Sequence, residues 1–369
     1  MKRHLLYLAA LSIICLAISA CDSIDPSIFR PGPQESPPQV NPPIVVRLVG
    51  NPLAQTRQLP DGIPPLRNGE TQAIAFDMDL EYNGRVIGTA TDYLGDITPV
   101  GDAIDLEGTT VFNFPGGTLI SRGQTTVQPL TTSAPSPVTH TTGAIPFPST
   151  NNILGGTGIF NDVTGTVRLS GAVNLSEFSG EGTPIGFDCL FVIQFDSAQT
   201  SALLHQRLGP QSHKYRVVQL RGERINAVAQ EFPTGVPPLD NGENSGLRFE
   251  MELLENGEVI GTATDYLSNI TPVGDGIALV GTTVFNFPEG TLISRGQTTV
   301  QPVITSAPSP VTHTTGSVPM AGTNSVILGT GIFRGATGSV RLGGAVNMSE
   351  FSGEGTPISF DCFFVIDLD

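Results

Sequence analysis

Residues 88–129 read GTATDYLGDITPVGDAIDLEGTTVFNFPGGTLISRGQTTVQP, and residues 261–302 read GTATDYLSNITPVGDGIALVGTTVFNFPEGTLISRGQTTVQP. The match continues in the same register, with Cys189 on Cys362 and Asp196 on Asp369, at an offset of 173. A period this long marks duplicated domains, because solenoid units run about 20–50 residues. Working outward gives two copies, residues 45–197 and 215–369, joined by a polar linker at 198–214 that holds His205, His213 and Lys214. Each copy is long enough to bury its own core. Within a copy, short runs rich in Val, Ile, Phe and Thr alternate with Gly and Pro, and none carries a helical period over a dozen residues. Asn83-Gly84 and Asn256-Gly257 each separate two such runs, which predicts a two-residue type I′ hairpin. Later runs, GTVRLSGAVNLS (165–176) and IGFDCLFVIQF (185–195), complete a chain of short strands. That pattern predicts an all-β chain of tandem antiparallel barrels or sandwiches.

The run from Phe187 to Ile193 carries Phe187, Cys189, Phe191 and Ile193 on one face and Leu190 and Val192 on the other. A strand apolar on both faces is covered on both, so the outside of each copy is expected to pack against its sister copy or another chain. Residues 155–167, GGTGIFNDVTGTV, and 328–340, LGTGIFRGATGSV, resemble the GG[ST]GxFxxxxGxV signature shared by allene oxide cyclases and plant dirigent proteins. Phe112-Asn113-Phe114, then Gly117-Thr118-Leu119 and Arg122-Gly123, are similar to that family's aromatic strand, tight turn and following strand. The resemblance covers most of each copy. It implies two tandem eight-stranded antiparallel β-barrels, a size that side chains can fill or that can hold one small ligand, and an assembly of copies that is commonly trimeric. The family's catalytic groups are not matched. Allene oxide cyclases carry Glu and Asn two residues apart on the first strand, whereas the second copy has Glu223 and Asn226 and the first has Asn51. Ile159 and Thr164, or Ile332 and Thr337, stand where dirigent proteins often carry an acid and an Arg.

Ahead of the copies, Lys2 and Arg3 precede an apolar run from Leu5 to Ile18 and then Ser19-Ala20-Cys21. Residues 1–20 are expected to be a secretory signal peptide. Ile18-Ser19-Ala20-Cys21 resembles the lipobox of bacterial lipoproteins, which implies acylation of Cys21 and a membrane anchor in the cell envelope. An ordinary signal peptide with an incidental Cys is the alternative. Residues 21–44, with Pro26, Pro31, Pro33, Pro37, Pro38, Pro42 and Pro43, predict an extended tether. The 34 acidic against 18 basic residues give a net charge of −16, which disfavours nucleic acid as a partner. Beyond the leader Lys214 is the one lysine, and neither a phosphate-binding GxxxxGK[ST] loop nor a GxSxG elbow is present.

Candidate chemistry centres on a few positions that recur in both copies. Alternation lets one residue of Asp92-Tyr93, and one of Asp265-Tyr266, enter a barrel. An inward carboxylate could act as a general acid with raised pKa, and an inward Tyr could orient a ligand oxygen. The competing reading is an aspartate that fixes the turn into LGDITPVGD. Arg122 and Arg295, if inward, would stabilise a ligand carboxylate or an oxyanion, and Arg168 and Arg341 could pair with an interior acid. As exterior residues the four would make salt bridges instead. Phe112, Phe114, Phe285 and Phe287 are the aromatic candidates for a ligand wall. Asp77 with Asp79, and Glu250 with Glu252, could hold a hard cation or form the solvated face of a strand; the exchange of Asp for Glu suits the solvated face. His140 and His313 lie in the Pro-rich SPVTHTTG, with no second ligand at metal spacing, so neither metal nor cofactor is expected. Cys189 and Cys362 are either bridged or, the favoured reading, buried free thiols.

Two functions from different classes follow. In one, each barrel encloses a small apolar guest, fatty-acid-derived or phenolic, which it binds or, as an isomerase, cyclises by confining one conformer. In the other, filled barrels serve as a structural assembly module of the envelope. An open interior would favour the first.

Overall fold

In residues 72–82, QAIAFDMDLEY, the even positions Phe76, Met78, Leu80 and Tyr82 are buried while Asp77 and Asp79 are exposed. That two-residue period builds a sheet with one wet and one apolar face, and the Asp77–Asp79 pair is the wet one. The computed structural model describes residues 42–101, 103–129, 140–146, 152–209, 215–274, 276–302, 313–319 and 325–369. The signal peptide, Cys21, the tether up to residue 41, His213 and Lys214 lie outside the described residues.

The first copy contributes β1 (Ile44–Gly50), β2 (Gln55–Gln58), β3 (Gln72–Tyr82), β4 (Arg85–Val100), β5 (Ala103–Phe114), β6 (Gly117–Pro129), β7 (His140–Pro146), β8 (Ile153–Gly156), β9 (Gly165–Asn174) and β10 (Gly186–Phe195). A helix, α1 (Ala198–Leu208), follows. The second copy repeats the pattern with β11 (Arg216–Asn226), β12 (Val228–Glu231), β13 (Ser245–Glu255), β14 (Glu258–Val273), β15 (Gly276–Phe287), β16 (Gly290–Pro302), β17 (His313–Pro319), β18 (Val326–Gly329), β19 (Gly338–Asn347) and β20 (Pro357–Leu368). Every pairing is antiparallel. In each 10-stranded sheet β1-β10-β9-β7-β6-β5-β4-β3, or its counterpart, runs in order, and β1 also pairs with β3 as β11 does with β13. The sheet therefore curls round to meet itself, with β2 and β8 paired alongside. Closure removes the exposed edges that an open sheet would present.

Local chemistry sets the corners. Asn83 and Gly84 have φ of 54° and 69°, and Asn256 and Gly257 have 51° and 79°; two successive positive φ values define the type I′ turn that Asn-Gly favours. LGDITPVGD, expected to turn into a loop after Asp92, instead continues β4 to Val100 with a bulge between Gly95 and Thr98. Asp96 takes a φ of 48° there, and the insertion re-aims Ile97. His140 is the first residue of β7, where a loop was expected.

The segment after β10, read as a polar linker, forms α1. Ser197 caps it by accepting from the Thr200 amide, and Gly209 ends it at a φ of 82°. Leu204 enters the first core, and the Tyr82 hydroxyl lies 3.4 Å from His205 Nδ1.

The outer face of β10 packs against the sister copy. Leu190, Val192 and Val45 cluster with Val365, Tyr215 and Val217. Around this patch the copies exchange reciprocal ion pairs: Arg168 Nη2 donates to Asp361 Oδ2 at 3.1 Å, and Arg341 Nη2 to Asp188 Oδ2 at 2.7 Å. Ser170 Oγ donates to the Leu342 carbonyl, and a Cβ on Gly343 would stand 2.4 Å from the Leu169 carbonyl oxygen, so β9 and β19 approach closely. The turns after β4 and β14 also meet, since a Cβ on Gly101 would stand 3.2 Å from the Gly274 Cα.

Candidate functional site

Along each barrel the inward side chains divide into a packed end and an open one. At the packed end Phe112 stacks on Phe114 at 6.0 Å between centroids, Phe114 meets Phe160 at 5.2 Å, and Phe160 meets Phe195 at 5.9 Å. Phe285, Phe287 and Phe333 repeat the stack, with spacings of 6.1 and 5.2 Å. The sequence makes these phenylalanines candidates for a ligand wall. They are instead a plug, and none of Phe112, Phe114, Phe285 or Phe287 lines the cavity beyond it. Phe191 and Phe364, edge-on to Phe112 and Phe285 at 5.2 Å, form its floor.

Above that floor the first barrel holds a cavity of about 100 Å³, and the second one of about 50 Å³. Met78, Leu106, Val127, Leu169 and Phe187 supply apolar wall to the first, and Met251, Leu279, Val300, Leu342 and Phe360 do so in the second. Half-buried Leu175 and Phe178, with exposed Ile97, stand at its mouth; Met348, Phe351 and Ile270 take these places in the second copy. Among the described side chains one charged group lines each cavity, Asp92 in the first and Asp265 in the second. Asp92 accepts from Thr110 Oγ1 at 2.8 Å, and Asp265 from Thr283 Oγ1 at 2.9 Å. Burial pushes both carboxyl groups up to about 6, against the pull of the threonine hydroxyls. Cys189 and Cys362 line the same walls as free thiols, and burial pushes them up as well. The carboxyl group can accept a hydrogen bond from a guest, or exchange a proton with it near pH 6.

Tyr93 and Tyr266 point the other way, as alternation requires once Asp92 is inside. Tyr93 packs with Leu59, Leu66, Ala73 and Ala75 beneath the segment between β2 and β3, and Tyr266 meets Phe232 edge-on at 5.7 Å. Arg122 and Arg295 are also exterior, correcting the inward placement considered for them. Arg122 donates from Nε to Thr109 Oγ1 and from Nη1 and Nη2 to the carbonyls of Pro65 and Pro64, at 2.8, 3.0 and 2.9 Å, and lies 3.2 Å from Glu107. Arg295 makes the same three bonds, to Thr282, Pro238 and Pro237. Each arginine thus straps the proline-rich segment to the barrel wall. Arg168 and Arg341 belong to the seam between barrels, not to an interior acid. There burial pushes Asp188 up, but Arg341 and Arg47 together hold its pKa below the usual carboxylate value.

The mouth residues Ile97, Leu175 and Phe178, the interior threonines and the placement of the thiols were not singled out from sequence. The signal available was identity between copies, as in ITPV at 97–100 and 270–273. Among the described residues no cluster of His, Cys, Asp and Glu is arranged to hold a metal ion. Compared with protein-family models, curated proteins and solved structures, the chain matches none.

Proposed function

We propose that the chain is an envelope lipoprotein, held to a membrane through acylated Cys21, whose two allene-oxide-cyclase-like barrels each bind a small, largely apolar molecule. The observation that carries this reading is the mouth-side cavity, repeated in both copies, with apolar walls around one carboxyl group. The resemblance of residues 155–167 and 328–340 supports the family assignment. Dry apolar cavities of roughly 150 Å³ take a benzene-sized guest, so the first cavity, at about 100 Å³, suits a short chain whose far end lies in the mouth, and the second something smaller. An isomerase version of this function would use Asp92 and Asp265 as proton donors to a confined guest; Tyr93, Arg122 and their counterparts lie outside the cavity and take no part.

Residues Val40–Asp369 form one compact unit, which can be titrated free of detergent. Met78 lines the first cavity, and Met251 and Met348 the second, so methyl-labelled methionine reports each cavity by NMR. Titration with 1-hexanol is expected to shift the Met78 methyl saturably. At about 0.8 kcal/mol per buried CH₂, the three or four carbons that a cavity of about 100 Å³ takes in give a Kd on the order of 10 mM. Val127→Phe, which fills the cavity, should abolish the shift. A Met78 signal unmoved by 1-hexanol, or moved equally in Val127→Phe, would overturn the container reading.

A further inference from the structure

The arginines weighed as anion receptors all lie elsewhere, which turns the charge of each cavity around. Among the described side chains no Lys, Arg or His lines either one, and Asp92 or Asp265 is the single charged one of these facing the guest. Arg122 is engaged with Thr109, Pro64 and Pro65 on the outer wall, and Arg295 with their counterparts. Arg168 directs Nη2 to Asp361 of the second barrel, and borders a separate space of about 20 Å³, shared with Asp92, Thr110, Ser121, Thr125 and Asn152. That volume is enough for one water. The Thr110 and Thr283 hydroxyls spend their protons on Asp92 and Asp265, and the hydroxyl side chains that line the cavities themselves are Thr125 and Thr298, neutral groups that leave the carboxylate as the charge a guest meets.

The two copies keep this carboxyl group and its threonine while changing acids nearby. Asp105 and Glu107, on the outer face of β5, correspond to Ala278 and Val280, yet Asp92 remains Asp265. A carboxylate buried without a cation works against folding. Its presence at both cavities, beside acids that are not repeated, points to a task in binding.

We infer that the guest of each barrel is a small apolar molecule ending in a hydrogen-bond donor, a hydroxyl or a protonated amine, and that carboxylate-ended molecules are excluded. This inference rests on the container reading and deepens it. The apolar walls take the chain, the carboxylate accepts from the donor head, and a second anion beside it would meet like charge in a desolvated site.

Three probes with one tail separate the possibilities: hexylammonium, 1-hexanol and hexanoate, titrated at pH 7.5 into the unit Val40–Asp369 while the Met78 and Met251 methyls are followed. Hexylammonium and 1-hexanol should bind the first cavity at least about tenfold more tightly than hexanoate. Asp92→Asn keeps the shape of the wall, and should cut the preference for hexylammonium over hexanoate at least about tenfold at Met78 while leaving Met251 unchanged. Hexanoate binding as well as 1-hexanol, or a preference untouched by Asp92→Asn, would overturn the donor-ended assignment and leave the container standing. The parent comparison is decisive even if the variant does not fold. If none of the three probes binds, the container reading itself falls, and this assignment with it.

Discussion

Asp92 and Asp265 each hold a carboxyl group whose pKa rises from 3.8 to about 6 on burial. Between those values the folded state keeps a proton that the unfolded state releases, so this contribution to stability is full below pH 4 and is lost as the pH rises through 6. The loss amounts to about 3 kcal/mol per site. Asp92→Asn should therefore raise the free energy of unfolding at pH 7 by about 1–3 kcal/mol and leave it nearly unchanged at pH 4; urea titrations of variant and parent at both values check this. Equal destabilisation at both would mean that the carboxylate is satisfied in the fold. Arg122 and Arg295 allow a second comparison, because buried Glu107 faces the first and the corresponding position is Val280. Arg122→Met should cost about 3 kcal/mol, since besides its hydrogen bonds it takes from Glu107 the more buried of two arginine partners, Arg67 remaining on the other oxygen. Arg295→Met should cost only about 1–2 kcal/mol in lost hydrogen bonds. Equal losses in denaturant titrations would count against the Glu107 contribution.

At the scale of single elements, α1 closes the plugged end of the first barrel through Leu204, which is fully buried. Leu204→Ala should cost about 2–4 kcal/mol, read as a lower urea midpoint, while the 1-hexanol response of Met78 at the opposite end stays in place. This helix was illegible in the sequence for a physical reason. Its buried positions are Thr200, Ser201 and Leu204, which leave no apolar stripe, and only the Ser197 cap and Gly209 marked its ends. The Asn-Gly hairpins and the alternation of β3 could be read directly, because each follows from local backbone sterics or from one wet face. Arg122 could not be assigned to a side in the same way. Nearly every residue of β6 from Leu119 to Gln128 is buried, so polarity does not distinguish the inner face from the one beneath the proline-rich strap. The cavity was hidden for a third reason: alternation says which side chains point inward, but only their packed volumes say where they fail to meet. The apolar outer face of β10 did announce a covering partner, and of the two considered the sister copy fills that place.

Over the whole molecule, the seam joins the barrels through Arg168 with Asp361, Arg341 with Asp188, and the patch around Leu190 and Val365. Replacing both arginines by alanine removes the cross-barrel partners of Asp188 and Asp361, which keep Arg47 and Gln219 of their own barrels, and should weaken the coupling of the two copies. A parent that melts in one calorimetric transition is expected to melt in two after Arg168→Ala with Arg341→Ala, the copies then unfolding on their own. A parent that already melts in two steps would show the seam to be weak from the start.

That seam lies within one polypeptide. Two loose barrels would have to find each other by diffusion and would drift apart whenever they became scarce, whereas a short tie of this kind supplies a local concentration on the order of millimolar. The paired state is therefore indifferent to how many molecules a cell makes, and a single chain arrives with both cups already side by side.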